Sequence, residues 1–148
     1  MTEQDRHLQI LLVEDNPVDV LMTRQALQDW EIKNRLHVVT DGNEALDFLH
    51  RQGDYVGSSR PDLVLLDLNI PQKSGKEVLA AIKQDPDLEN ITVVVATTSD
   101  SPNDRQTCHE LGADLFITKP LDLDAYIGAI NSIQDFWFDN RGAFTGLK

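Results

Sequence analysis

Glu14 with Asp15, Asp67, Thr97 and Lys119 are the residues whose types and spacing could do chemistry together. Each alone is ordinary, because an acid that follows a strand usually caps a helix or sits in a solvated loop. If one rim gathers them, it holds three carboxylates, a hydroxyl and a single cation. Carboxylates crowded into a partly desolvated site repel one another and need a counter-ion. No His or Cys pair stands at ligand spacing, so the set is all-oxygen and favours hard Mg²⁺ over zinc. A carboxylate beside Mg²⁺ and a lysine suits phosphoryl chemistry, with the cations offsetting charge while the carboxylate attacks.

What must position these residues is legible as an alternation. Short, branched apolar runs recur at LQILLV (8–13), LHVVT (36–40), DLVLLDL (62–68), ITVVVATT (91–98) and ADLFIT (113–118). Such runs suit strands covered on both faces of a parallel sheet. Between them lie segments of helical spacing. The first starts at Asn16-Pro17, a cap followed by proline at the first helical position, and the second at Asp41-Gly42-Asn43. A third spans about 75–83, a fourth, almost wholly polar, about 102–111, and a fifth follows Lys119-Pro120 to about 138. Strand–helix units repeated five times predict an α/β fold with a doubly wound five-stranded parallel sheet. In such sheets the chemistry lies at the carboxyl ends of the strands, which is where Glu14-Asp15, Asp67, Thr97 and Lys119 fall.

The 148 residues fit one domain, and a net charge of −12 leaves no basic face for nucleic acid or anionic lipid. A single Cys argues for a reducing, cytoplasmic setting. No apolar run approaches the ~20 residues that cross a membrane.

The motifs ILLVEDNP (10–17), LLDLNIPQKSG (65–75), ATTS (96–99) and TKP (118–120) together resemble the receiver domain of two-component response regulators, the CheY-like fold. The spacing is the specific part, and the resemblance covers about 8–138 of a domain taken as 1–148. It implies a strand order of 2-1-3-4-5. It also implies that Asp67 accepts a phosphoryl group from a sensor histidine kinase and that the protein is no enzyme beyond slow self-chemistry. Mg²⁺ would be held by Asp15, Asp67 and the Asn69 backbone carbonyl, with Glu14 acting through water. Lys119 would pair with phosphoryl oxygens, aimed inward by a cis peptide before Pro120. Thr97, with the N–H groups of Leu68 and Thr98, would meet the phosphate, and Phe116 would be the rotating switch aromatic. Phe in place of the common Tyr leaves that switch without a phenolic hydroxyl. Thr98 and Asn69 flank the path of attacking water.

With only about ten residues after the core, 139–148 reads as a flexible tail and output is expected through the protein's own surface. The fourth helix has few core anchors, Cys108 and Leu111. The fifth has an excess of them. Leu123, Ile127, Ile130 and Trp137 form a core stripe, and Tyr126, Ile133, Phe136 and Phe138 widen it beyond a usual core face. This predicts a partner surface at Tyr126, Ile133, Phe136, Trp137 and Phe138, most simply a homodimer. The FWF ending and the NP helix start are similar to the stand-alone regulators that partner bacterial phytochromes, which would make the kinase a bilin-binding photoreceptor.

Two alternatives stand beside this reading. A small haloacid-dehalogenase-type phosphatase also uses a strand-end Asp, Mg²⁺ and a lysine, but it needs a second Asp where this chain has Asn69. The other is a phosphorylation-independent binding module. Lys73 and Lys76, beside the acceptor loop, read as solvated or as steering an acidic partner. Cys108-His109 offers no enclosed ligand site.

Overall fold

The computed structural model describes residues 7–141. The strands are β1 (Leu8–Val13), β2 (Asn34–Val39), β3 (Leu63–Leu66), β4 (Thr92–Thr97) and β5 (Leu115–Thr118). The helices are α1 (Pro17–Gln28), α2 (Gly42–Leu49), α3 (Gly75–Gln84), α4 (Pro102–Glu110) and α5 (Leu123–Arg141). A 3₁₀ turn at Gly53–Tyr55, which has no sequence periodicity to reveal it, joins α2 to β3. All strand pairs are parallel, in the order β2-β1-β3-β4-β5, as the motifs imply. Among the described residues no helix is long and apolar enough to cross a membrane.

Successive strand residues face opposite sides of a sheet, and the buried side chains divide accordingly. Leu11, Val13, Val64, Leu66, Val93 and Val95 pack against α2, α3 and Cys108 of α4. Leu8, Ile10, Leu12, Leu63, Leu65 and Val94 pack against α1 and α5. Helix starts are secured locally. Asn16 accepts N–H bonds from Val18 and Asp19, and Ser74 with Glu77 forms a reciprocal capping box at α3.

Two expectations are corrected here. Within α5, Tyr126, Ile130, Ile133 and Trp137 are the core stripe, while Leu123 is 49% exposed. The stripe is rotated because Tyr126 bonds its hydroxyl to buried Thr23 of α1 at 2.8 Å, which lets a polar tip enter the core. Tyr126, Ile133 and Trp137 are therefore not a partner surface. Phe136 and Phe138 are half-buried. The second correction concerns Pro120: no peptide among the described residues is cis, so Lys119 is aimed without one. Its N–H donates to the Thr97 carbonyl at 2.6 Å, which continues the β4–β5 ladder. Helix α5 also runs to Arg141, into the stretch expected as tail; 142–148 lie outside the described residues.

Gly75 begins α3 against the end of β3. A Cβ there would stand 2.5 Å from the Asp67 carbonyl oxygen and 2.5 Å from the Leu68 Cα, both backbone atoms. Gly128, inside α5, would meet nothing within 4 Å. Gly75→Ala is expected to cost about 1–3 kcal/mol by forcing α3 off the strand. Gly128→Ala should gain up to about 1 kcal/mol from helix propensity. Urea denaturation of the two variants checks the opposite signs.

Candidate functional site

The face on which each strand-end residue lands follows from the alternation. Glu14, Asp67 and Lys119 each stand two residues beyond Leu12, Leu65 and Ile117, which pack on the α1/α5 side. Thr97 and Phe116 keep step with Val95 on the opposite side, where Phe116 packs against the α2/α3/α4 core. The rim thus has two compartments, charges toward α1 and α5 and the hydroxyl with its aromatic toward α4.

In the first compartment Lys119 Nζ donates to Glu14 Oε1, to Asp19 Oδ2 at 3.0 Å and to Asp67 Oδ2 at 3.2 Å. The lysine and Glu14 side chains are 5% and 2% exposed. Burial works against the charge on Lys119. The Glu14 hydrogen bond and the charges of Asp67 and Glu14 outweigh it, so the ammonium loses its proton only well above the usual lysine range. Burial also raises the Glu14 carboxyl above its ordinary value, against the pull of Lys119. Both shifts come from one arrangement: an acid held out of water beside a single cation.

Ligand oxygens of Glu14, Asp15 and Asp67 lie within 4.8 Å of one another, with Asp15 exposed at the mouth. The donors fit a divalent cation of the hard, oxygen-seeking kind. The chain's own charge supports that fit, since one lysine serves three acids on the inner side. Asn69, two residues after Asp67, donates its N–H to Asp67 Oδ1 at 3.0 Å, which turns the chain away from the strand. Behind Lys119 the floor is closed by Tyr126, Ile130 and Thr23, leaving a cavity of about 10 Å³. Access is therefore from the rim.

In the second compartment Thr97 is fully buried, and its Oγ1 accepts from the Ser99 N–H at 3.3 Å. Phe116 is half-buried with the Arg105 guanidinium 4.6 Å above its ring. Cys108 is the buried residue of α4, as its polar sequence predicts. That helix is held instead by polar ties: Asp104 accepts from Lys76 of α3 and from the Ser99 hydroxyl, each at 2.6 Å. Lys76 is thus engaged within the chain, while Lys73 is exposed.

The sequence reading missed Asp19 and Arg105. Asp19 reads as a first-turn acid that complements the helix dipole. Its pairing with Lys119 emerges only once α1 is known to lie on the lysine's side of the sheet.

A family profile of the response regulator receiver domain matches residues 10–131. The response regulator Rcp1 of Synechocystis sp. is 43% identical over 130 residues, covering 88% of both chains. The structure of the phosphorylated cyanobacterial phytochrome response regulator RcpA superposes with a TM-score of 0.86 at 41% identity, over 90% of this chain and 95% of that one. The Mn²⁺-bound form of Rcp1 gives 0.84 at 42% identity, over 89% and 95%.

Proposed function

The chain belongs to the response regulator receiver domain family, and from that premise we propose that Asp67 is its phosphoacceptor, loaded by a sensor histidine kinase. The observation that carries this is Lys119 Nζ, 3.2 Å from Asp67 Oδ2 within an all-oxygen cluster at the strand ends. An Asp67 oxygen attacks the phosphorus of a phosphohistidine. The O–P bond forms as the P–N bond breaks, and the imidazole nitrogen keeps the electron pair. Lys119 then turns to the new phosphoryl oxygens, and Thr97 supplies a hydroxyl from the other compartment. Glu14, Asp15, Asp67 and the Asn69 carbonyl would hold Mg²⁺, which when bound offsets charge on the transferring group.

Readout follows from where the charge appears. Phosphorylation adds about −1.5 to −2 charge at a strand end. Movement of Thr97 toward it opens space beside Phe116, the aromatic that Arg105 now covers. Phytochrome regulators among the relatives favour a bilin-binding kinase as the donor. Small phosphodonors would also load Asp67, with slow self-dephosphorylation, in the cytoplasm. A second copy of the chain is the expected partner where α5 leaves Phe136 and Phe138 half-exposed. Asn69 in place of a second acid, together with family membership, counts against a phosphatase.

With acetyl phosphate and Mg²⁺, the wild-type protein is expected to gain one acid-labile phosphoryl group, read by intact mass. Asp67→Asn should gain none. An adduct that persists in Asp67→Asn, or steady hydrolysis of a phosphomonoester, would overturn the assignment.

A further inference from the structure

We propose that Asp19 is a positioning residue that holds one donor of Lys119 in reserve and yields it to the phosphoryl group. The inference rests on the phosphoacceptor reading of Asp67. An ammonium has three N–H donors, and in this structure Glu14, Asp19 and Asp67 take all three. A phosphoryl oxygen can therefore reach Lys119 only by displacing an acid.

The three acids are not equally displaceable. Glu14 is 2% exposed, so without the lysine its charge would stand buried and unpaired. Asp67 carries the phosphoryl group itself. Asp19 is 18% exposed and sits in the first turn of α1, where the N–H groups of the helix start favour a carboxylate even without a lysine. It can exchange Lys119 for water at the least cost of the three. Asp19 is also outside the group of Glu14, Asp15 and Asp67 whose oxygens converge within 4.8 Å. Its link to the site runs through Lys119.

The consequence is a bias on the chemistry. While Asp19 holds the lysine, the resting state is favoured over the phosphorylated one, and its negative charge faces the incoming group. Removing that charge should favour the loaded state. Lys119 keeps Glu14 and Asp67 as partners when Asp19 is neutral, and Asp19 is the most exposed of the three acids at 18%, so the expected effect is modest, about fivefold.

Beryllium trifluoride, which caps a carboxylate as a phosphoryl mimic, measures this at equilibrium. Its affinity is read by NMR titration at Mg²⁺ concentrations shown to saturate each variant. Asp19→Asn is expected to bind it about fivefold more tightly, and Asp19→Glu, which keeps the charge, to return to the wild-type value. Thermal unfolding of both in parallel separates this from a loss of structure, since a merely structural Asp19 would weaken the affinity along with the stability. Equal or weaker binding in Asp19→Asn, or the same gain in Asp19→Glu, would overturn the proposal. If the wild-type chain itself binds none on Asp67, the phosphoacceptor reading fails first and this one with it.

Discussion

Lys119→Met is expected to lower stability by about 3–5 kcal/mol in the absence of divalent metal, because it leaves the buried Glu14 charge without its cation. For a chain of this length that is roughly 10 °C in melting temperature. The methionine nearly matches the lysine stem in volume, so packing is preserved and the loss is electrostatic. Two conditions should relieve it. The first is Mg²⁺ or Mn²⁺, which compensates the same oxygens. The second is acid. A carboxyl whose folded-state pKa lies above its unfolded value binds protons more readily when folded, so stability falls as pH rises from the unfolded value through the folded one and is level beyond it. Burial already raises Glu14 above its ordinary 4.5, and Lys119 is the main influence opposing that rise. Without the lysine the folded-state value climbs further. The deficit relative to wild type should therefore be small up to the folded-state value of wild-type Glu14, which burial pushes up to about 7, and grow as pH rises above it. Thermal melts in chelator across that range test the slope, and a deficit independent of pH and metal would contradict the electrostatic account.

Trp137→Ala is expected to cost about 3–5 kcal/mol through lost burial and the cavity left behind. Trp137 is 5% exposed and belongs to the cluster with Leu8, Ile10, Leu27, Trp30, Ile32 and Ile133. The loss is a loss of the protomer's own fold. The denaturation midpoint should fall by the same amount at every protein concentration, whereas for a residue that mainly held two copies together the fall would grow with concentration. Urea titrations at two concentrations tenfold apart distinguish these outcomes.

The order of elements was readable because parallel strands buried on both faces leave long apolar runs such as 62–68 and 91–98, and because caps and prolines punctuate the helices between them. The acids and the lysine were readable because they interrupt those runs at the strand ends. What stayed hidden depends on which side of the sheet a helix lies. Tyr126 reads as partner surface because it widens the apolar arc of α5; in the structure it is core, its hydroxyl bonded to Thr23, 103 residues away. Leu123 looked like core because helical spacing fixes a stripe only relative to the helix itself. Asp19 looked like a dipole-matching acid for the same reason. The polar composition of α4 suggested weak anchoring, but it could not show that Asp104 ties the helix to Lys76 and Ser99.

The lysine's reach across the chain carries one more meaning. Glu14 and Lys119 are 105 residues apart in sequence, and Asp67 and Lys119 are 52 apart. Contacts this distant close late, after the entropy of the intervening loop has been overcome. The lysine follows directly on β5, a four-residue edge strand half-buried along its length. A chain with β1 to β4 assembled and the last strand undocked would hold Glu14, Asp19 and Asp67 without the one cation they share, so the buried cluster is neutralised only by the last strand to dock.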